Sequence, residues 1–333
     1  MSDSSSLGDA RPHGPRVIDG RRYAAELKAE VASELTALLR QGGRPGLATV
    51  LIGDDYPARA YEQRLRRLAA DVGCRYVCER LAAGVEEADA VATVGKLDAD
   101  PRISGIVVLR PLPSGIAEVA LYRALDPLKD IEAVHPVNAG LLALGRPRYI
   151  PSTPASCFYM LDRYLAGTGR DLGEFYAGST IVVVGRSANV GKPAILLGLA
   201  RNATVVSCDE HTFRAGRLYD HTATADVLIV AAGVPGLIRG EHCKPGVIAI
   251  DVGINAVPRP GGGTRLVGDL DQDSVATKAE ALSPVPGGVG PVTDVWLLRN
   301  TVAAAELSLS TEAAQPSREG YGLPGGDVQR VSA

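Results

Sequence analysis

The sequence predicts an α/β protein of two domains, in which helices alternate with the strands of parallel sheets. The chain has 333 residues, and at a soft average of roughly 150 residues per domain this length favours two domains. Hydrophobic residues make up 46% of the chain and charged residues 22%, which is enough apolar material for ordinary globular cores and excludes a mostly disordered chain. Strand-like and helix-like patterns alternate twice along the sequence, and such alternation is typical of parallel βαβ units.

The first run of patterns covers residues 17–150. Apolar residues at helical spacing predict a helix over 23–39, and GLATVLIG at 46–53 predicts a buried strand. The same criteria predict helices at 58–72 and 85–100 and strands at 74–81 and 104–113, the last one stopped by its prolines. This half is predicted to be a substrate domain.

The second run begins after PSTP at 151–154 and is typical of a doubly wound sheet. Helices are predicted at 157–165 and 191–201, and strands at 179–185, 203–209, 226–233 and 246–253. A last helix at 293–307 is expected to pack back on the first domain and to leave a cleft between the two. The predicted division is therefore 17–150 plus 291–308, and 151–290, with flexible tails at 1–16 and 309–333.

Charge and cysteine content exclude several classes of protein. The formal charge is −3, so there is no global positive field to hold a nucleic acid. The sequence has no apolar stretch of about 18 residues, and its start lacks the apolar core of a signal peptide. We therefore expect a soluble, cytoplasmic protein without a membrane partner.

The five cysteines include one close pair with no second pair to complete a zinc site. We expect reduced, mostly buried thiols and no metal.

The segment VVVGRSANVGKP predicts a phosphate-binding turn. It places Gly185, Ser187 and Gly191 between a strand and a helix, where small residues let backbone N–H groups approach a pyrophosphate. A purely structural tight turn is the alternative. A nucleoside triphosphatase is disfavoured, because Pro193 stands where a magnesium-binding Ser or Thr is required.

Other candidate residues have two readings each. Asp209 ends the next strand, at the place of the acid that binds the adenosine ribose in dinucleotide domains, or it is a solvated turn residue. Tyr61 is a substrate contact or ordinary packing, and His135 is a general base or a structural hydrogen bonder. The glycines of GGVGP at 287–291 indicate a close approach of backbone to a ligand.

Taken together, these segments resemble the methylenetetrahydrofolate dehydrogenase/cyclohydrolase family, the FolD-type enzymes. The collinear motifs are IGDD…Y (52–61), RPLP (110–113), KDIEAVHPVN (129–138), PSTP (151–154), VGRSANVGKP (184–193), AAGVPG (231–236), IDVGIN (250–255), VGDL (267–270) and PVPGGVGPVT (284–293). The resemblance covers about residues 17–308. It implies an N-terminal folate domain, a Rossmann-like NAD(P) domain, a cleft between them and a homodimer.

The resemblance also implies site residues. On the substrate side they are Tyr61, which packs against the folate ring, and Glu132, Pro286, Gly287, Gly288 and Asp294. On the cofactor side they are Gly185, Arg186, Ser187, Gly191, Asp209, Gly233, Pro235, Gly253, Ile254 and Thr293.

The sequence departs from the family pattern at the catalytic positions. The family's Tyr-x-x-x-Lys reads Tyr61 to Leu65, and its Gln-Leu-Pro-Leu-Pro begins with Leu109. In the family that Lys and Gln lie together and help activate water or a proton acceptor at the methenyl carbon. Replacement of both by leucine leaves no buried polar partner unpaired, which indicates an adapted site and a loss of cyclohydrolase activity.

Two further departures lie at the pterin end. The family's Asp-Val-Asp-Gly reads Asp130-Ile131-Glu132-Ala133, which puts the folate-binding carboxylate on a side chain one methylene longer. Pro-Met-Thr followed by an apolar residue reads Pro291-Val292-Thr293-Asp294, which adds a carboxylate at the cleft mouth or a cap at a helix N-terminus.

These observations lead to three hypotheses. The first is NAD-dependent oxidation of 5,10-methylenetetrahydrofolate to 5,10-methenyltetrahydrofolate without cyclohydrolase activity; NAD is favoured over NADP because Asp209 and Glu210 would repel a 2′-phosphate. The second is a divergent paralogue of specialised metabolism that acts on another one-carbon or non-folate substrate. The third is a catalytically inactive folate- or cofactor-binding protein, which the intact phosphate and nicotinamide motifs disfavour.

Overall fold

The computed structural model describes residues 14–259 and 261–314. The strands are β1 (Arg16–Val17), β2 (Gly46–Ile52), β3 (Arg75–Leu81), β4 (Gly105–Val108), β5 (Thr180–Val184), β6 (Thr204–Cys208), β7 (Val227–Val230), β8 (Ile248–Asp251), β9 (Asn255–Pro258), β10 (Thr264–Val267) and β11 (Ala281–Leu282). The helices are α1 (Gly20–Arg40), α2 (Tyr56–Val72), α3 (Glu87–Asp98), α4 (Glu118–Arg123), α5 (Pro136–Ala143), α6 (Ser152–Gly167), α7 (Leu172–Ala177), α8 (Gly191–Ala200), α9 (Glu210–Arg214), α10 (Leu218–Thr222), α11 (Gln272–Ala276) and α12 (Val289–Ala314), with a 3₁₀ turn at Gly240–His242.

The first domain is built on a parallel sheet of three strands in the order β3-β2-β4. Every residue of β2 and of β4 is buried, as expected for parallel strands covered on both faces. Asp55 begins α2 by accepting a hydrogen bond from the Ala58 amide at 2.9 Å, and Gly73 ends it in the left-handed conformation. These caps fix the helix that carries Tyr61.

The second domain contains a parallel sheet of six strands in the order β1-β11-β8-β7-β5-β6. Successive strands β5 and β6 lie side by side, whereas β7 lies on the other side of β5. The order therefore reverses between β5 and β7, and open α/β sheets bind ligands at the carboxyl ends of strands at such a point. A separate antiparallel pair, β9 and β10, follows β8.

The predicted two-domain α/β class is confirmed, and the main strands and helices of both runs lie where the patterns place them. Several bounds differ: the strands predicted at 104–113 and 226–233 end already at Val108 and Val230. Arg16 lies in β1, so the first tail cannot extend to residue 16. Helix α6 begins at Ser152 and includes Pro154, which the first turn of a helix tolerates. Helix α12 starts at Val289 and continues to Ala314, so residues 309–314 are helical and not a tail; residues 1–13 and 315–333 lie outside the described residues.

Helix α12 packs on α1, α2 and α6, and so contacts both halves of the chain. Its proposed assignment to the first domain stays a prediction. All five cysteines are free, and four of them are buried, as the sequence predicted. No helix between residues 14 and 314, residue 260 apart, is long and apolar enough to cross a membrane.

Candidate active site

The cofactor side of the site lies where β5 and β7 end. Gly185 follows β5 with a φ of +118°, and a Cβ at this position would come 2.2 Å from the Ala231 carbonyl oxygen. Only glycine lets the two strand ends meet this closely. The turn then runs to Gly191, the first residue of α8, whose amide donates to the Ser187 hydroxyl at 3.3 Å. The predicted glycine turn is therefore present at the N-terminus of a helix, where an anion binds favourably.

Arg186 and Asp209 form an ion pair beside this turn. The Arg186 guanidinium donates to Asp209 Oδ2 at 2.8 Å, to the Ser207 hydroxyl at 2.8 Å and to the Ser207 carbonyl at 2.7 Å. Asp209 also caps α9 by accepting from the Thr212 amide at 3.0 Å. This bond, the Thr212 hydroxyl and Arg186 hold the pKa of Asp209 below its usual range. Asp209 thus has a structural role, and its contact with a ribose stays a prediction.

Two buried carboxylates hold the loops after β7 and β8. Asp269 accepts from the amides of Ala232 at 2.6 Å and Gly233 at 2.9 Å, and from the Asn255 side chain at 2.8 Å. Asp251, at the end of β8, accepts from the amides of Gly253, Asp269 and Leu270 at 2.9–3.0 Å. Burial raises the pKa of Asp251 to about 6.

These bonds bring the predicted cofactor residues to one edge of the sheet. Gly233 and Pro235 are exposed in the loop after β7, and Ile254 is 63% exposed in the segment between β8 and β9. Contacts of these residues with a cofactor stay predictions. The sequence analysis missed Asp251 and Asp269 as the residues that shape these loops, although both lie in quoted motifs.

On the substrate side, Tyr61 lies on α2 among charged groups. The Arg64 guanidinium carbon is 5.2 Å from the centroid of the Tyr61 ring, and Arg64 Nε donates to Asp294 Oδ2 at 3.1 Å. Burial raises the pKa of Tyr61 well above its usual value, and the nearby charges of Asp294 and Glu132 raise it further. The structure therefore brings together the three predicted residues Tyr61, Glu132 and Asp294.

Asp294 does not cap a helix. It is the sixth residue of α12, one and a half turns past the start of the helix, and its side chain is 14% exposed and paired with Arg64. Burial raises its pKa, and Arg64 lowers it in part. The structure thus excludes the capping interpretation of Asp294, and its place at the cleft mouth stays a prediction.

Glu132 is held by the loop before it and by α12. Asp130 accepts from the His135 amide at 2.8 Å and from the Asn138 side chain at 2.8 Å, and Asn300 of α12 donates to the Ile131 carbonyl at 2.8 Å. His135 itself begins α5, and its Nδ1 accepts from the Val137 amide at 3.1 Å, which is the structural reading of that residue.

Arg110 is a functional candidate that the sequence analysis missed. Its Nη1 lies 3.8 Å from Glu132 Oε1, and its guanidinium also contacts Glu118 and Tyr122. Although burial opposes its charge, these acidic neighbours raise the pKa of Arg110. Burial raises the pKa of Glu132 to about 7, against the effect of Arg110, and Glu132 Oε2 is buried with no hydrogen-bond partner among the described residues. Arg110 stands at the Leu position of the family's Gln-Leu-Pro-Leu-Pro, so that departure was a visible signal.

Leu65 and Leu109 are both buried, with 0% and 2% of their surfaces exposed, and both belong to the core against which Tyr61 packs. Neither position offers a polar group to this side of the cleft. Both leucines therefore lie in the buried apolar core against which Tyr61 packs.

The glycine loop before α12 makes the close approach that its composition predicted, but its neighbour is protein backbone. A Cβ on Gly20 of α1 would come 1.7 Å from the Gly288 carbonyl oxygen. Gly287 has a φ of +105° and Pro286 is exposed. The Thr293 hydroxyl donates to the Val289 carbonyl at 3.1 Å. Ligand contacts of Pro286, Gly287, Gly288 and Thr293 stay predictions.

Across residues 14–259 and 261–314, no three His, Cys, Asp or Glu side chains are grouped so that they could hold a metal ion. The arrangement is thus a glycine turn at a strand-order reversal, with a half-buried tyrosine and two carboxylates on the neighbouring domain. Fold and site together define a two-domain α/β protein with an NAD(P)-binding domain.

Comparison with known proteins gives the family. Residues 18–132 match the catalytic domain, and residues 151–309 the NAD(P)-binding domain, of tetrahydrofolate dehydrogenase/cyclohydrolase. The chain belongs to this family, as the resemblance predicted.

Two relatives from Rubrobacter xylanophilus are similar over most of their length. "Bifunctional protein FolD 2" is 66% identical over 94% of this chain and 98% of its own, and "Bifunctional protein FolD 3" is 70% identical over 87% and 92%. Among solved structures, the Trypanosoma brucei N5,N10-methylenetetrahydrofolate dehydrogenase-cyclohydrolase in complex with NADP and an inhibitor is 34% identical, with a TM-score of 0.81 over 89% of this chain and 99% of that one.

Proposed function

We propose that this protein oxidises 5,10-methylenetetrahydrofolate to 5,10-methenyltetrahydrofolate with NAD as the hydride acceptor, and that it lacks cyclohydrolase activity. The observation that carries the proposal is the glycine turn at the strand-order reversal together with two buried leucines, Leu65 and Leu109, in the core against which Tyr61 packs. Hydride transfer requires chiefly that the two reacting carbons be aligned. Hydrolysis in addition requires a group that activates water.

The residues of the proposed active site have two tasks, to hold the cofactor and to bind the substrate. When bound, NAD supplies the carbon that accepts the hydride; the glycine cradle at Gly185, which any Cβ would fill, fits its pyrophosphate. The loops held by Asp251 and Asp269 shape the nicotinamide side. Tyr61 packs against the folate, and the unpartnered Oε2 of Glu132 accepts a hydrogen bond from it. The site releases no proton in this step, because the methylene carbon loses only a hydride.

Both Rubrobacter relatives carry the word "bifunctional" in their names, so the loss of hydrolysis is argued from the side chains of this chain. The support is chemical: two buried leucines neither donate nor accept a hydrogen bond. The decisive experiment is a paired assay of the purified protein, with NADH formation from methylenetetrahydrofolate in one arm and decay of methenyltetrahydrofolate in the other. Decay at a rate comparable to NADH formation would refute the loss.

The choice of NAD follows from the charges around Arg186. This arginine, which could meet a 2′-phosphate, is bonded to Asp209, and Glu210 follows directly. Two carboxylates beside a phosphate disfavour NADP by about 1–3 kcal/mol in a partly screened site. The trypanosomal relative with NADP makes the measurement necessary: we expect NAD to bind more tightly, and we expect Asp209→Ser to narrow the difference. Tighter binding of NADP to the unmodified protein would reverse the assignment.

A divergent paralogue with another substrate is the second candidate, because the substrate side carries two arginine–carboxylate pairs, Arg110 with Glu132 and Arg64 with Asp294. No NADH formation from methylenetetrahydrofolate, together with intact NAD binding, would favour this candidate. Binding of cofactor or folate without turnover of any tested substrate would favour the third hypothesis, an inactive binding protein. We further propose that the protein is a cytoplasmic homodimer. Light scattering of the purified protein tests the dimer.

A further inference from the structure

Side chains of α4 fix the position of Arg110 on the substrate side. Arg110 lies two residues after the end of β4. Its Nε donates to Glu118 and its Nη2 to the Tyr122 hydroxyl, and that hydroxyl donates to Glu118 at 2.8 Å. Glu118 and Tyr122 are four residues apart on α4 and so lie on one face of the helix. The third nitrogen of the guanidinium, Nη1, faces Glu132 Oε1 at 3.8 Å.

The charge state of Glu132 depends on this arginine. The side chain of Glu132 is 18% exposed. The titratable groups that act on it besides Arg110 are two carboxylates and two phenols, namely Asp130, Glu118, Tyr61 and Tyr122. Burial and the two carboxylates raise the pKa of Glu132, whereas Arg110 lowers it. In the part of the chain that the structure describes, Arg110 is the only cation that forms an ion pair with Glu132.

Ionisation decides what Glu132 can bind. Its Oε2 is buried without a hydrogen-bond partner among residues 14–259 and 261–314, and it therefore requires a donor from the ligand. An ionised carboxylate accepts on both oxygens, whereas a protonated carboxyl carries a hydrogen that itself donates. A ligand that presents ring N–H groups thus binds the ionised form, through bonds that the charge strengthens.

We propose that Arg110 is a positioning residue, which keeps Glu132 ionised and thereby sets the pH range in which the substrate binds tightly. The inference rests on the proposed function, because it takes Glu132 as the carboxylate that binds the substrate. Leucine stands at position 110 in the family pattern, so the arginine and the longer carboxylate are two departures that depend on each other. Arg110 acts through Glu132 and not on the reacting carbons. It therefore affects KM and leaves kcat nearly unchanged.

The test measures KM and kcat for methylenetetrahydrofolate between about pH 6 and pH 9, the range around the ionisation of a buried Glu. In the unmodified protein we expect KM to rise as the pH falls and Glu132 takes up a proton. Arg110→Leu and Arg110→Gln remove the charge, and the rise should then begin at least about one pH unit higher. KM near pH 7 should consequently increase about fivefold or more. The difference from the unmodified protein should narrow near pH 9, which a general loss of structure would not produce.

Three further variants separate charge from structure. Arg110→Lys keeps the charge and should keep the pH profile close to that of the unmodified protein. Glu132→Gln removes the titrating group and should make KM nearly independent of pH. The matched control is Arg102→Gln, which breaks an exposed ion pair with Asp100 in the same domain and should leave the profile unchanged.

Binding of tetrahydrofolate, measured by calorimetry at the same pH values, gives a readout that does not require the reaction. Ionisation of the ligand is common to all variants, so a difference between their profiles belongs to the protein. Equal profiles for the unmodified protein and both uncharged Arg110 variants, or an unchanged profile in Glu132→Gln, would overturn the role of Arg110. A shifted binding profile without any NADH formation would instead refute the proposed reaction and leave this role standing.

Discussion

At the scale of single residues, each carboxylate that departs from the family pattern on the substrate side has an arginine neighbour from another part of the chain. Glu132 lies near Arg110, and Asp294 is bonded to Arg64. A buried carboxylate without such a neighbour would be neutral over a wide pH range. The arginines thus keep these acids within reach of ionisation at neutral pH.

Glu132 should make stability depend on pH. Its folded-state pKa of about 7 lies above the unfolded value of roughly 4.3, so its contribution is greatest below the unfolded pKa and is lost as the pH rises through 7. Between pH 5 and 8 we expect the free energy of unfolding to fall by about 2 kcal/mol more in the unmodified protein than in Glu132→Gln. Urea unfolding of both proteins across this range measures the difference, and parallel curves would contradict it.

Asp294 should affect substrate binding more than folding. Its partner Arg64 is 53% exposed, so loss of the pair in Asp294→Val should cost no more than about 1 kcal/mol of stability, whereas KM for methylenetetrahydrofolate should change several-fold. Asp220→Asn, which breaks an exposed pair with Arg217, is the control and should change neither. A change confined to thermal unfolding would remove Asp294 from the site. Faster turnover of methylenetetrahydrofolate in Asp294→Val would favour another natural substrate.

At the scale of elements, the site depends on how α2 meets the end of β4. Leu65 lies in α2, Leu109 directly follows β4, and both lie in one buried core. Leu65→Lys alone places an ammonium in that core without a partner, and we expect a loss of several kcal/mol in the free energy of unfolding. Adding Leu109→Gln supplies a polar neighbour, so the double variant should be less destabilised than the sum of the single changes. Strict additivity in urea unfolding would show that the two positions are independent.

Local patterns predicted the elements whose own residues decide their conformation. The apolar spacing of α1 and α2 and the β-branched run of β5 follow burial directly. The two-residue strand β1 has no such pattern, because its pairing with β11 is what makes it a strand. The start of α12 within GGVGP was missed for a similar reason, since glycine is a poor helix former there and tertiary packing overrides its propensity.

The same distinction explains which residues of the candidate site could be predicted from the sequence. The glycine turn, Tyr61, Glu132 and Asp294 lie in motifs that can be read one at a time, and each was predicted. Arg64 gains its role only from Asp294, 230 residues away, and such distant pairing leaves no local signal in a single sequence. Arg110 lies in a quoted motif, where its departure from the family pattern was visible, but its pairing with Glu132 was not.

At the scale of the whole molecule, the N-terminal strand belongs to the second domain. The Arg16 amide donates to the Glu280 carbonyl at 2.9 Å, the Ile18 amide donates to the Leu282 carbonyl at 2.9 Å, and Ile18 is fully buried. The described chain thus has its first strand in the six-stranded sheet, then builds the first domain, and returns to that sheet. This connection ties the two halves together in addition to the packing of α12.

Removal of residues 1–18 should therefore destabilise the whole protein. The loss of two backbone hydrogen bonds and of one buried isoleucine amounts to about 3–6 kcal/mol. Ile18→Ala is the milder variant and should cost about 2–4 kcal/mol. Removal of residues 1–13, which keeps β1, is the matched control. Urea unfolding distinguishes these cases, and equal midpoints for the two deletions would show that β1 is dispensable.

The position of β1 also determines which segments of this protein can be expressed separately or exchanged between relatives. A gene fragment that starts near residue 151 would encode a sheet whose outer strand, β11, has lost its neighbour, and an unpaired strand edge invites aggregation. A chimaera that joins the first half of one relative to the second half of another would bring a foreign first strand into the second sheet. For recombination, the natural unit of the second domain is consequently the segment from residue 151 onward together with residues 16–18 from the opposite end of the chain.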